Sequence, residues 1–202
     1  MKLYYSKGAC SLAVRILINE LGMPCEFEAV NLKTKQTETG QDFLKINPKG
    51  QVPTIITNED EVLTENAVIH QYIADSQHAF TLLPTFGDFK RYRVLEWLNY
   101  VTTEIHKGLG VLFNQQLSQE TRDNVMLPLI KKKFDYLNNH LLTHRYLAGD
   151  DYTLSDGYLF TVLNWTFHFK IPLSDWVHLD RYFKEVKARP AVQKSLKEEG
   201  LS

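Results

Sequence analysis

Lys2-Leu3-Tyr4-Tyr5, then Ser6-Lys7-Gly8-Ala9-Cys10-Ser11, then Leu12-Ala13-Val14-Arg15-Ile16-Leu17-Ile18-Asn19-Glu20-Leu21 read as a short strand, a turn and a helix. Ala13, Leu17 and Leu21 fall at i, i+4 and i+8 with Val14 and Ile18 beside them, the spacing of one buried helical face. Gly22 stops that helix and Pro24 prevents its resumption. Phe27-Glu28-Ala29-Val30 then alternates as a strand does. The three segments make a βαβ unit, for which parallel pairing and a right-handed crossover are expected. Cys10 stands where the first strand gives way to the helix. Unpaired backbone N–H groups and the positive end of the helix dipole favour the reactive thiolate at such a place. A small buried structural residue is the competing reading of the same position.

The pattern changes after this unit. Asp42 to Ile46 makes a short helix at best, and Asn47-Pro48-Lys49-Gly50 reads as a turn. Thr54-Ile55-Ile56 and Glu61-Val62-Leu63, joined by Asn58-Glu59-Asp60, read as a β-hairpin. Glu65-Asn66 leads into a helix through Ala67, Ile69, His70 and Ile73. The order is βαβ and then ββα. Leu83-Pro84-Thr85-Phe86-Gly87-Asp88 reads as a linker ending in a helix N-cap. Beyond it only helical periodicity appears, over about 88–116, 120–142, 153–168, 175–188 and 190–198. The expected organisation is an α/β domain over residues 1–80, a linker over 81–87 and an all-α helical domain over 88–202.

At 202 residues, 44% hydrophobic and 23% charged, the chain has the composition of an ordinary globular protein. A net charge of −1 favours neither nucleic acid nor an anionic membrane as a partner. The compact basic run Lys131-Lys132-Lys133 lies in a helical pattern and reads as a solvated face. The two cysteines, Cys10 and Cys25, lie 15 positions apart, which excludes a Cys-x-x-Cys pair, a zinc ligand set and a disulfide framework. That usage suits a reducing, cytoplasmic compartment. The N-terminus has no signal-peptide pattern, no apolar run reaches membrane-spanning length, and no His/Asp/Glu cluster has metal spacing.

Several motifs carry chemistry. In Gln51-Val52-Pro53-Thr54 a proline enters a strand, either as an edge-strand residue or in a cis Val52–Pro53 bond. A cis bond would turn the Val52 N–H and C=O toward an extended peptide. Thr64-Glu65-Asn66-Ala67 opens a helix whose first N–H groups suit a carboxylate, while Glu65 suits an ammonium group; together they match an amino-acid head. The plainer reading makes Thr64 or Asn66 a helix cap. Asn99, Thr103 and His106, at i, i+4 and i+7, form a polar stripe continued by Tyr92 and Glu96. Such a stripe faces solvent, or else a site or second subunit where His106 would donate or carry a proton. Thr153-Leu154-Ser155-Asp156 has capping-box spacing and reads as folding machinery ahead of an apolar core helix. Trp165, Phe167 and Phe169 read as core.

In this order and spacing the motifs resemble the glutathione S-transferase family over essentially the full chain, and its bacterial beta class most closely. The resemblance implies a thioredoxin-like N-terminal domain (βαβ–ββα) followed by the helical domain. It implies that Cys10 is the class's characteristic cysteine, with Tyr4, Tyr5 and Ser6 near enough to keep a Tyr or Ser activator in play. Val52-Pro53 matches the cis-proline motif that binds the cysteinyl backbone of glutathione. Glu65-Asn66 matches the Glu/Gln-Ser pair that holds the γ-glutamyl head, with Asn in place of Ser. Lys35 matches a position that contacts the glycyl carboxylate. Asn99, Thr103 and His106 match helical site residues, some of which reach across a dimer.

The activity so implied is conjugation of glutathione, as co-substrate and without a metal, to hydrophobic electrophiles, a detoxification chemistry. Cys10, His106 and Tyr5 are the candidate catalytic residues, and Phe113 and Trp165 the candidate electrophile contacts. The expected assembly is a homodimer. A second enzymatic reading makes Cys10 the nucleophile of thiol–disulfide exchange with glutathione. A non-catalytic ligand-binding or protein-interaction module on the same fold is the third.

Overall fold

The computed structural model describes residues 1–201. It falls into two compact units, Met1–Phe80 with Arg189–Ser202, and Thr81–Ala188.

The first unit is built on a five-stranded sheet. Its strands are β1 (Lys2–Tyr5), β2 (Glu26–Asn31), β3 (Gln36–Thr37), β4 (Thr54–Ile56) and β5 (Val62–Thr64). The spatial order is β3-β2-β1-β4-β5. β1 and β2 run parallel with Leu3 opposite Phe27, as the βαβ reading requires, and the other pairs are antiparallel. The second hairpin strand begins one residue later than its sequence pattern suggested, because Thr57 N–H pairs with the Glu61 carbonyl and draws Glu61 into the turn. β3 is two residues long and carries no periodicity to read.

Helix α1 (Leu12–Glu20) is buried from Leu12 to Ile18 without interruption, Arg15 included. An amphipathic helix covering a sheet keeps one face wet. α1 does not, because the last helix packs on it. We number the helices α2 (Asn66–Ser76), α3 (Phe89–Tyr100), α4 (Leu127–Thr143), α5 (Leu154–Leu163), α6 (Trp165–Phe169), α7 (Val177–Lys187) and α8 (Pro190–Glu198). Asn19 Nδ2 reaches Ser195 Oγ at 2.8 Å and Glu198 at 2.9 Å, and Arg189 pairs with Glu20. Residues 189–202 therefore belong to the sheet-bearing unit, where the sequence reading had assigned them to the helical domain. α8 is amphipathic in either setting, so its periodicity did not reveal its partner.

The second unit is helical throughout its regular structure. α3 starts where Asp88 accepts from the Lys90 N–H at 2.9 Å. Its extension, Val101–His106, is π-helical before α-helical geometry resumes at Lys107. Every residue of α5 is buried. Its N-terminus carries the expected capping box, and Asp156 does more than cap. Its carboxylate accepts from the Thr153 N–H (2.8 Å) and hydroxyl (2.9 Å), the Leu147 N–H (2.9 Å) and the Tyr182 hydroxyl (2.9 Å). Desolvation pushes the Asp156 carboxyl up, and these four donors oppose it.

Removing this carboxylate strands several buried donors at once. Asp156→Ala should lower the unfolding free energy by about 3–5 kcal/mol in a urea titration. A loss below about 1 kcal/mol would show that the network is not structural.

Candidate functional site

The turn after β1 is held from several sides. Ser6 N–H donates to Ser11 Oγ (3.2 Å), the Ala9 N–H to the Ser6 carbonyl (3.0 Å), and Leu12 N–H to the Ala9 carbonyl (3.0 Å). Cys10 lies on this turn, two residues ahead of α1, and is half-buried. Its thiol donates to the Val52 carbonyl at 3.2 Å. The Val52–Pro53 peptide is cis. Val52 itself packs with Tyr4, Val30 and Phe43.

Asn66 opens α2 but does not cap it. Glu65 occupies the cap position, with no side-chain hydrogen bond to the helix, and Thr64 precedes it in β5. The Asn66 amide instead donates to the Cys10 carbonyl at 2.7 Å, which ties α2 to the Cys10 turn. Its buried Oδ1 has no hydrogen-bond partner among the described residues. One turn along, His70 Nδ1 lies 2.8 Å from the Asn66 carbonyl, and its ring also meets the Ala13 backbone.

Glu65 has φ +70° and ψ 115°, a backbone conformation that costs a non-glycine residue free energy and that clusters at ligand sites. Its exposed carboxylate pairs with Lys49 Nζ at 2.5 Å, and the same ammonium donates to Thr64 Oγ1. Such an exposed pair contributes at most about 1 kcal/mol, so another ammonium group exchanges with it readily. Lys35 Nζ donates to the Gly50 carbonyl at 2.7 Å, in the segment leading to Val52. Tyr5 takes no part in this cluster. It lies under the Arg15 guanidinium, 4.3 Å from its ring centroid, and edge-on to Phe27.

The remaining candidates lie in the second unit. Asn99 and Thr103 are exposed, joined by a bond from Thr103 Oγ1 to the Asn99 carbonyl. His106 departs from their stripe. A π-helical segment turns less per residue than an α-helix, so the i+7 position no longer shares the face it would share in regular geometry. His106 turns inward instead, with Nδ1 2.5 Å from the Tyr158 hydroxyl and its ring edge-on to Trp165 at 5.1 Å. Trp165 is buried and meets Phe113 at 5.3 Å, while Phe113 also contacts His168 and Phe169. Phe113 is 47% exposed and helps line a 360 Å³ cavity with Leu112, Arg122, His168 and Phe169. Tyr158 and His168 join this cluster without any sequence signal that set them apart. Phe167, read as core, is exposed and packs one side on Phe183.

Desolvation brings His70 down to about 4, and His106 likewise to about 4 with Lys107 adding to the effect. Both rings are neutral at pH 7. Among the described residues no group of three or more His, Cys, Asp or Glu side chains could hold a metal ion. Among them, too, no helix is long and apolar enough to cross a membrane.

The low value of His70 has a consequence for stability. An unfolded histidine takes up its proton near pH 6.5, which the folded chain resists until about 4. The stability held above pH 6.5 is therefore lost as pH falls toward 4. His70→Asn should narrow the difference in unfolding free energy between pH 7 and pH 4.5 by roughly 2–3 kcal/mol, measured by urea titration at both values. An unchanged difference would mean that His70 is protonated in the folded chain.

Comparison with known proteins places the chain in a family. Residues 1–75 match the glutathione S-transferase N-terminal domain and residues 100–190 the C-terminal domain. Residues 191–202 lie outside both stretches. Glutathione S-transferase GstA of Escherichia coli O157:H7 is 40% identical over the whole of both chains. A glutathione transferase of Methylococcus capsulatus superposes with a TM-score of 0.95 at 46% identity, covering 100% of this chain and 99% of that one. A sphingomonad glutathione S-transferase solved in complex with glutathione gives 0.95 at 37% identity over all of both chains. The beta class enzyme of Sphingomonas chungbukensis gives 0.95 at 38%, again over both full chains. By both domain matches and by full-length identity, this chain belongs to the glutathione S-transferase family.

Proposed function

We propose that this glutathione transferase holds the tripeptide on its first unit, along Val52, Glu65 and Asn66, with Cys10 beside the cysteinyl sulfur. The observation that carries the reading is the junction of Cys10 Sγ with the Val52 carbonyl and of Asn66 Nδ2 with the Cys10 carbonyl. Glutathione laid along Val52 as an added strand would bring its sulfur to this junction. Its γ-glutamyl ammonium replaces that of Lys49 on Glu65, and its α-carboxylate meets the N–H groups at the start of α2. Lys35, already directed at Gly50, serves the glycyl carboxylate. Pro53 sets the course of the chain past Val52.

The second unit takes the hydrophobic electrophile against Phe113 and Trp165, where an exposed ring borders a cavity. Neutral His106, its Nδ1 within hydrogen-bonding distance of the Tyr158 hydroxyl, carries one ring N–H and serves as the proton donor of this unit. Asn99 and Thr103 present polar groups on the outer face of the same helix. Tyr5 is a packing residue in this reading, since its ring is committed to Arg15 and Phe27.

The position of Cys10 supports a second activity at the same place. A Cys10 thiolate attacks the glutathionyl sulfur of a mixed disulfide between glutathione and another thiol, that thiol leaves as its thiolate, and a free glutathione resolves the Cys10–glutathione disulfide, releasing oxidised glutathione and restoring the Cys10 thiolate. Both cysteines are free thiols, which suits the reducing cytoplasm. Phe86 and Phe89, 88% and 67% exposed, are large apolar side chains suited to a homodimer contact. The reading is that of a cytoplasmic, beta class homodimer.

Three substitutions test this scheme in steady-state conjugation. Glu65→Gln should raise the KM for glutathione by about 10-fold or more, the loss of a charge-assisted contact, with the electrophile KM unchanged. Phe113→Ala should do the reverse, and Tyr5→Phe should leave both constants within about twofold. Cys10→Ser should abolish the glutathione adduct seen by intact mass after incubation with oxidised glutathione. An adduct that persists on Cys25, or a glutathione KM unmoved by Glu65→Gln, would overturn the assignment.

A further inference from the structure

The cavity beside Phe113 is not uniformly apolar. Two of the rings that line it, Phe113 and Phe169, meet edge-on at 4.6 Å. Arg122 stands over the second of them, its guanidinium carbon 5.4 Å from the Phe169 ring centroid. A ring attracts the charge of a guanidinium but leaves its N–H donors in need of acceptors. Among the described residues no carboxylate, carbonyl or hydroxyl accepts from the Arg122 side chain. The adjoining carboxylate, Asp123, is engaged elsewhere, accepting from Gln119 Nε2 at 2.9 and 2.8 Å. No Asp or Glu is among the residues lining the cavity, whose other polar groups come from Asn114, Gln115 and His168. Half-buried Arg122 therefore sets a permanent positive charge, without a counter-ion, at the border of a 360 Å³ space.

The rim that carries this charge is held by its own backbone. Asn114 N–H donates to the Val111 carbonyl (3.0 Å), and the Asn114 carbonyl accepts from the Leu117 N–H (3.1 Å). Ser118 Oγ accepts from the Thr121 N–H (3.1 Å), and the Ser118 carbonyl from the Arg122 N–H (2.9 Å), which ties Arg122 to the rim. A preformed cavity with apolar rings and one placed charge orients a ligand that has both characters, and the arginine fork matches a carboxylate in shape and sign. We propose that this cavity selects aromatic electrophiles that carry a carboxylate, with the ring against Phe113 and the carboxylate on Arg122. For an aryl chloride, the glutathione thiolate forms the C–S bond at the carbon that bears chlorine, and chloride leaves with the bonding pair. The substrate carboxylate stays charged throughout. Arg122 thus sets specificity and takes no part in the bond changes.

This inference rests on the reading of the Phe113 cavity as the electrophile site, and its test separates the two. 4-Chloro-3-nitrobenzoate and 4-chloro-3-nitrobenzamide share ring, nitro group and leaving group, and differ in charge at pH 7. Each is conjugated by the wild-type protein and by Arg122→Gln, and the ratio of the two kcat/KM values, benzoate over benzamide, is compared. That ratio should fall at least about fivefold in Arg122→Gln, the loss of a half-exposed charge pair. Arg122→Lys, which keeps the charge but not the fork, should recover part of it. An unaltered ratio, with Phe113→Ala still raising both KM values, would overturn the proposal and leave the electrophile site standing. If Phe113→Ala moves neither KM, the electrophile site lies elsewhere and the proposal falls with it. If Arg122→Gln does not fold, the unmodified protein decides. There 3-nitrobenzoate, which has no leaving group, should compete with the electrophile at least about fivefold more strongly than 3-nitrobenzamide. Equal inhibition by the two would overturn the proposal.

Discussion

The hydrogen bond from Asn66 Nδ2 to the Cys10 carbonyl joins two segments 56 residues apart, and the first unit's candidate chemistry is arranged around it. One partner is the turn that follows β1, the other the first residue of α2. The turn contains a glycine at positive φ, and α2 is entered through Glu65 in a conformation that non-glycine residues avoid. Once joined, they bring together the Cys10 thiol, the Val52 carbonyl it donates to, and the N-terminus of α2. The buried Asn66 Oδ1 is the cost of using an amide here, since the bond occupies the donor and leaves the acceptor without a partner among the described residues.

Electrostatics follow from burial in both units. His70, beneath the start of α2, and His106, beside Tyr158, are each held neutral by loss of water. A neutral imidazole carries one N–H and one lone pair, so its neighbours decide which nitrogen donates. For His106 that neighbour is a tyrosine hydroxyl, and the aromatic surroundings of Trp165 keep water away. In both units polar side chains enter apolar surroundings with their partners already in place.

Local structure was legible where local rules govern it. Lys2–Tyr5 formed the expected strand, Leu12–Glu20 the expected helix, and Thr153–Asp156 the expected cap, because alternation, helical spacing and capping are short-range properties. The cis Val52–Pro53 bond was legible as one of two readings of a proline entering a strand. The partner of Asn66 was not, since nothing near Cys10 in the sequence announces a donor 56 residues away. The π-helical turn over Val101–His106 carries no proline or glycine to mark it, and it alone takes His106 out of the stripe of Asn99 and Thr103. α8 could be read as a helix but not assigned to a unit, and Phe113, Tyr158 and His168 come together only through the packing of three separate segments. Apart from that local π-helical turn, what escaped the sequence was a contact between distant residues.

The central claim is that glutathione binds the first unit at the junction of Cys10, Val52 and Asn66. A titration of isotope-labelled protein with reduced glutathione, followed by backbone amide chemical shifts, tests it directly. The account predicts that the largest shifts fall on Cys10, Val52, Glu65, Asn66 and Ala67, saturating together at one dissociation constant. Saturating shifts confined to other segments, with these five amides unmoved, would contradict it.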